Sequence, residues 1–268
     1  MTERRDFLIT GANGLIGSHL RQSLRQPGRH LRLLDVAAQP GLALDEDATL
    51  IEGSFLDPET MALACEGVDA VVHLGGLSTG GYDWREYLET NINGTREVLE
   101  AARRAHVPRV IYASSHHVVG FHPSTAEETV PDYLYPRPDS LYGVSKAASE
   151  SLCSLYHDRY GLNVVCLRIG SFRDRPSDRR MLWSWLSPGD CTRLFEAALG
   201  APSPGFRVVW GVSANTRGIV SLKEANKLGY YPLDDAEAYG AAILASDVDS
   251  VPAVSDVMGG PFAAPSFE

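Results

Sequence analysis

The stretch Gly11-Ala12-Asn13-Gly14-Leu15-Ile16-Gly17 sets three glycines at a GxxGxxG spacing between an apolar run, Asp6 to Thr10, and a helix-like run, Ser18 to Arg25. A strand that turns sharply into a helix leaves the first helical amides without partners, and glycine lets a pyrophosphate approach them closely. A tight turn that merely requires glycine is the simpler alternative. The pattern of the next hundred and fifty or so residues decides between them, because a nucleotide-binding turn belongs to a repeating strand and helix alternation.

Runs with strand character recur at Leu31 to Leu34, Leu50 to Gly53, Ala70 to Leu74, Arg109 to Ser114 and Asn163 to Ile169, which with the first makes six. Helical patterns fall between them, at Pro58 to Cys65, Glu86 to Ala105 and Tyr142 to Tyr160. This alternation predicts an α/β fold, a Rossmann-type doubly wound parallel sheet. Beyond Gly170 it weakens to a helical stretch at Pro188 to Leu199, a strand at Phe206 to Val212 and helices near Leu222 and Ala236. The expected organisation is a nucleotide-binding core over residues 1–170 and a small C-terminal substrate-binding appendage, 171–268, unable to fold alone. The proline-rich segment Phe121 to Asp139 is expected to be an active-site loop, and the last fifteen residues to be poorly ordered.

A formal charge of −10 argues against a nucleic-acid partner, since phosphate backbones select a basic face. No window reaches the run of about 18 apolar residues that a spanning helix needs, so no membrane role is expected. Met1 to Phe7 carries charges of both signs with no signal-peptide pattern, and the cytoplasm is the expected location. Cys65, Cys153, Cys166 and Cys191 show neither CxxC nor metal-ligand spacing, so reduced thiols and no metal are expected.

Asp35 ends the second strand 18 residues beyond Gly17, where a carboxylate accepts hydrogen bonds from both ribose hydroxyls and repels a 2′-phosphate. NAD is favoured over NADP, with Arg29 and Arg32 nearby as opposing signals. Asp57, after Leu56, is placed to accept from an adenine amino group, to cap the helix that opens at Pro58, or to do both. Leu74-Gly75-Gly76 follows the fourth strand, where absent side chains admit a cofactor, and Asn91 is expected as a buried hydrogen-bonding residue of that site. Tyr142 and Lys146 lie four apart on one helical face, so the ammonium is expected to lower the phenol's pKa and make Tyr142 a base. Ser114 and Ser115 end the fifth strand at the ligand-binding edge, and Ser115 is taken as the residue that orients the reacting hydroxyl. His116 and His117 follow; as neighbours on a strand they would point to opposite faces, which favours substrate contact or packing over a metal. Arg173, Arg175, Arg179 and Arg180 concentrate positive charge in an otherwise acidic chain.

Taken in chain order, GANGLIG, Asp35, HLGG, NINGT, YASS and YGVSK resemble the extended short-chain dehydrogenase/reductase superfamily, over nearly the whole chain. The segments YASSHHVVGF, RPDSLYGVSKAASE, DRYGLNVVCLRIGS, DRRMLWSWLS and WGVSANTRG are similar to its uronate dehydrogenase group. The resemblance implies NAD-dependent oxidation of a hexuronic acid, such as galacturonate or glucuronate, at C1 to an aldarolactone. It implies Ser115, Tyr142 and Lys146 as catalytic residues. For the cofactor it implies Gly11, Asn13, Gly14, Leu15, Ile16, Gly17, Asp35, Leu56, Asp57, Leu74, Gly75, Gly76, Asn91, Tyr142, Lys146 and Ile169. Ser78, Ser115, His117, Tyr142, Ser171 and Arg180 are the implied substrate positions, with Arg180 partnering the carboxylate, and His116, beside them, is counted with the substrate residues on its position alone. The chain departs from the family pattern at His116, where that pattern has asparagine, and in the loop after Ser78. A dehydrogenase of another sugar or hydroxy compound, an NAD-retaining epimerase and a non-catalytic NAD-binding protein are the other readings. Family resemblance further implies a homo-oligomer packed through the two long helices.

Overall fold

The computed structural model describes residues 4–38, 40–43, 45–78, 80–124, 129–246 and 256–264. From the N-terminus run β1 (Arg5–Thr10), α1 (Leu15–Ser23), β2 (Arg29–Asp35), β3 (Ala48–Glu52), α2 (Pro58–Cys65) and β4 (Ala70–His73). A short helix α3 (Trp84–Glu86) then leads through a π-helical stretch, Tyr87–Asn93, into α4 (Gly94–Arg104), followed by β5 (Arg109–Ser115), α5 (Leu141–Tyr160) and β6 (Asn163–Ile169). The remainder contributes β7 (Ser171–Phe172), α6 (Met181–Ser184), β8 (Trp185–Leu186), α7 (Pro188–Gly200), β9 (Phe206–Gly211), α8 (Lys223–Lys227) and α9 (Gly240–Ala245).

The main sheet has seven parallel strands in the order β3-β2-β1-β4-β5-β6-β9, and β7 pairs with β8 in a separate parallel ribbon. The fold is thus a Rossmann-type doubly wound sheet, one strand larger than the six counted from alternation. The seventh strand, β9, comes from beyond residue 170, so the core runs across the expected division. One apolar layer makes this concrete: Phe7, Ile9, Leu33, Ile111 and Leu167 share it with Leu194 and Phe195 of α7 and with Val209 of β9.

Two-residue periodicity explains why helices cover both faces. Leu8, Val71, Val110, Val164 and Cys166 point the other way and pack against Met61 of α2, Val98 and Leu99 of α4, and Cys153 of α5. The ends of these helices are chemically signalled. Asp57 caps α2, accepting from the amides of Glu59 and Thr60, while Pro58 supplies a preset first turn. Ser140 caps α5 by accepting from Gly143 N, and Gly161, at φ +73, ends it in the left-handed conformation.

Two elements differ from their sequence reading. The helix expected to run unbroken from Glu86 to Ala105 contains the π-helical stretch, which period analysis at 3.6 residues per turn does not register. The end of the chain is also more structured than expected. Of its last fifteen residues, 254–255 and 265–268 lie outside the described ones, and 256–264 dock on the loop after β5. Met258 N donates to His122 O at 2.9 Å, Gly259 N to Gly120 O at 2.9 Å, and Met258 is fully buried beside Trp210 and Val118.

Candidate active site

In a doubly wound sheet the crevice opens where the strand order reverses, here between β1 and β4. Gly11 turns the chain there at φ +69, and a Cβ on it would sit 2.7 Å from Gly75 N. A Cβ on Gly17 would lie 2.3 Å from Gly11 O, so helix α1 packs against the turn only because that position is bare. No side chain caps α1, which leaves its first amides available to a ligand.

The carboxylate of Asp35 accepts from Asn13 N at 2.8 Å and Ala37 N at 3.1 Å, fixing it at the end of β2. The two arginines that opposed the NAD reading are engaged elsewhere. Arg29 pairs with Glu196 at 2.7 Å and Arg32 reaches Asp6 and Ala64 O.

Beyond the glycine turn lies a cavity of about 630 Å³. It brings together Gly11, Gly14, Leu15, Ile16, Gly17, Leu74, Gly76 and Ile169, expected at the cofactor, with Ser78, His116, His117, Tyr142, Lys146, Ser171 and Arg180. Asn13, Asp35, Leu56, Asp57, Gly75, Asn91 and Ser115 lie outside its lining. Asp57 caps α2, one of its two expected roles, and its exposed carboxylate keeps acceptor capacity for the other. Asn91 stands behind the wall rather than in it: its Oδ1 accepts from Leu77 N at 2.7 Å and its Nδ2 donates to Leu77 O and to Ser145 Oγ. It thereby ties the loop after β4 to α5.

A second buried clasp holds the same loop. Thr95 Oγ1 donates to Asn91 O, so His73 Nε2, 3.3 Å from that hydroxyl, is its donor, and Nδ1 accepts from Thr10 Oγ1 at 2.7 Å. Burial, with Lys146 adding repulsion, lowers the His73 pKa to about 3, so the ring stays neutral.

Lys146 is buried, and its Nζ donates to Ala113 O at 2.9 Å while lying 5.7 Å from the centre of the Tyr142 ring. Burial lowers its pKa to about 8. For Tyr142, burial pushes the phenol up to about 12 against the opposing pull of a hydrogen bond to Ser115. Burial thus works against the lowering expected from the ammonium: losing water costs the phenolate more than its neighbours return. The two strand-end serines part company. Ser114 Oγ donates to Glu150 at 2.6 Å inside the buried Glu150–Arg168 pair, leaving Ser115 as the hydroxyl beside Tyr142.

His116 and His117 sit on a 3₁₀ turn (His116–Val119), so the strand rule that would send them to opposite faces does not apply. Their rings lie 4.1 Å apart and both line the cavity. His117 Nδ1 donates to Asp139 Oδ2 at 2.7 Å, a fully buried carboxylate at the end of the Phe121–Asp139 segment. His116 has both nitrogens engaged, Nδ1 with Ile169 O at 3.2 Å and Nε2 with Arg180 at 2.7 Å. Burial lowers both its pKa and that of Arg180. Of the four clustered arginines, Arg173 and Arg180 line the cavity. Ser171 Oγ lies 3.0 Å from Ser184 Oγ, and Ser78 accepts from Tyr87 through its carbonyl at 3.0 Å.

Two lining or supporting residues escaped the sequence reading. Asp139 precedes a helix cap, which gave a local reason for its presence but none for its contact with His117. Phe262, in the segment expected to be poorly ordered, packs on the His117 ring at 4.6 Å and lies under the Arg180 guanidinium at 5.5 Å. Among the described residues no group of three or more His, Cys, Asp or Glu is arranged to hold a metal.

Comparison with known proteins agrees with this geometry. The model of the NAD dependent epimerase/dehydratase family matches residues 7–182. Uronate dehydrogenase of Pseudomonas syringae pv. tomato is 41% identical over 263 residues, 96% of this chain and 93% of that protein. The crystal structure of uronate dehydrogenase from Agrobacterium tumefaciens superposes with a TM-score of 0.90 at 35% identity, covering 99% of each chain. A mutant of that enzyme complexed with NAD superposes with a TM-score of 0.89, covering 97% of each.

Proposed function

The chain belongs to the NAD dependent epimerase/dehydratase family, and from that membership and its cavity we propose that it is an NAD-dependent uronate dehydrogenase, oxidising a hexuronic acid at C1 to an aldarolactone. The observation that carries the substrate class is the Arg180 guanidinium, held inside the same cavity as Tyr142 and Lys146 in a protein of net charge −10. A planar cation in a partly dry site selects a carboxylate.

The residues present fit NAD. The bare Gly11–Gly17 turn would admit a pyrophosphate at the start of α1, and Asp35, held at the end of β2, would accept from a ribose diol and repel a 2′-phosphate. Bound there, NAD supplies the hydride acceptor. The protein's own residues do the rest. Arg180 anchors the carboxylate, Ser115 holds the C1 hydroxyl, and Tyr142 Oη takes its proton. Burial opposes the ionisation of Tyr142, and the Lys146 ammonium, 5.7 Å from its ring, favours the phenolate that takes the proton. Ser78, His117 and Ser171 complete the sugar site.

Absorbance of NADH on mixing enzyme and NAD with galacturonate, glucuronate, galactose and glucose separately tests this, with NADP in parallel. Signal with the uronates and NAD alone is the expected result. Signal with the neutral sugars instead would remove Arg180 from substrate selection. Tyr142→Phe should lower kcat by about a hundredfold or more with little change in KM, and near-normal turnover would reject the base assignment.

We further propose a homo-oligomer assembled through the helices around α4 and α5, because Leu88, Leu155 and Tyr160 stand exposed there. A monomer in light scattering at micromolar concentration is the contrary outcome. A cytoplasmic location is proposed as well: the four cysteines are free and buried, as a reducing compartment allows, and no helix among the described residues is long and apolar enough to cross a membrane.

A further inference from the structure

Arg180 reaches the cavity from the N-terminal side of α6, and a long flexible side chain loses affinity for a carboxylate unless something holds its fork in place. Three contacts do so. The guanidinium lies over Phe262, its Cδ packs so close to Gly260 that a Cβ there would fall 2.9 Å away, and NH1 is 2.7 Å from His116 Nε2.

The last contact dictates the state of the imidazole. Arginine only donates, so His116 Nε2 must present a lone pair; the carbonyl of Ile169 only accepts, so Nδ1 must carry the hydrogen. His116 is therefore a neutral Nδ1–H tautomer with no nitrogen left for a sugar hydroxyl. An imidazolium would set two cations 2.7 Å apart. Ring contacts reinforce the pose: His116 packs edge-on against Trp183 at 5.9 Å and lies against His117 at 4.1 Å.

We propose that His116 is a positioning residue: anchored on the Ile169 carbonyl, it accepts one hydrogen bond from Arg180 and so aims the remaining guanidinium donors at the substrate carboxylate. Its contribution to specificity is exerted through the arginine, without polar contact to the sugar. The inference rests on the uronate reading above, and extends it to a residue at which this chain departs from the family pattern and which the sequence left between substrate contact and packing.

The test is a double-mutant cycle on the full-length enzyme, read as KM for galacturonate, kcat and KM for NAD. His116→Phe, which keeps a ring but no acceptor, should raise the galacturonate KM about tenfold, the loss of one hydrogen bond to a charged group, while leaving the NAD KM unchanged. His116→Gln, whose amide oxygen can accept from Arg180, should keep the uronate KM within about threefold of wild type. In an Arg180→Ala background, His116→Phe should add almost nothing. A wild-type KM in His116→Phe, or effects that multiply across the two sites, would overturn the proposal and return His116 to direct substrate contact. Independently of activity, the imidazole ¹⁵N shifts assigned by difference from His116→Phe should report a protonated Nδ1 and a bare Nε2 at pH 7. An imidazolium or the opposite tautomer would also overturn it. Wild-type silence on every uronate would instead sink the functional reading, and the ¹⁵N result would then decide the His116–Arg180 contact on its own.

Discussion

Lys146 carries its charge in a poor place for one. With its side chain buried and a single hydrogen bond, to Ala113 O, its folded pKa of about 8 lies below the ordinary 10.5. Between those values the unfolded chain binds more protons, so native stability rises with pH through that window, and the full burial cost stands below about pH 8. Lys146→Met should accordingly unfold at higher denaturant than wild type at pH 7, by roughly 2 kcal/mol after allowing for the lost hydrogen bond, while activity disappears. The difference should shrink as pH approaches 10; a variant less stable than wild type at pH 7 would contradict the argument. Such a trade of stability for chemistry is usual where a buried ion is needed. Tyr142 shows the same conflict from the other side, its phenol raised by burial although its sequence spacing from Lys146 suggested the reverse.

Among elements, α5 does the most to organise the site. Its first turn delivers Tyr142, its second Lys146, and its third Glu150, whose carboxylate receives Arg168 of β6 at 2.8 and 2.9 Å and Ser114 of β5 at 2.6 Å. This buried pair pins α5 against the two strands that end in the cavity. Removing one partner strands the other's charge, so Arg168→Met should cost about 3–5 kcal/mol, and adding Glu150→Leu should recover most of it. Urea unfolding of the two variants checks this; equal stability of the single and double variants would show that the pair is already compensated by water. Opposite α5, the π-helical stretch places Asn91 to grip Leu77 through both its amide and its carbonyl. One face of the cavity is thus set by a helix of regular period and the other by a local widening of one.

At the scale of the whole molecule, the C-terminal segment closes the structure over the site. Residues 256–264 hydrogen-bond to the loop after β5, bury Met258, and bring Phe262 against His117 and beneath Arg180. The cavity is finished by a segment distant in sequence from both Arg180 and Tyr142. Phe262→Ala should raise KM for the uronate several-fold, the scale of one partly buried cation–π contact, with the NAD KM unchanged. Steady-state kinetics would show it. An unaltered uronate KM would reduce Phe262 to packing.

The amino-acid sequence by itself determined the class of fold and the local half of the site. Strand and helix periods, the GxxGxxG turn and the four-residue spacing of Tyr142 and Lys146 are set by backbone geometry over a few residues, so they are readable before any tertiary contact forms. Tertiary structure alone decided the rest. That β9 joins the sheet depends on β6 accepting it as an edge partner. That Ser114 serves Glu150 while Ser115 faces Tyr142 depends on where α5 lands. The 3₁₀ turn that swings His116 and His117 to one side, the pairing of His117 with Asp139 and the meeting of His116 with Arg180 join residues 22 and 64 positions apart. Side chains so separated are brought together only by packing of the elements that carry them, and packing is decided by the whole core at once.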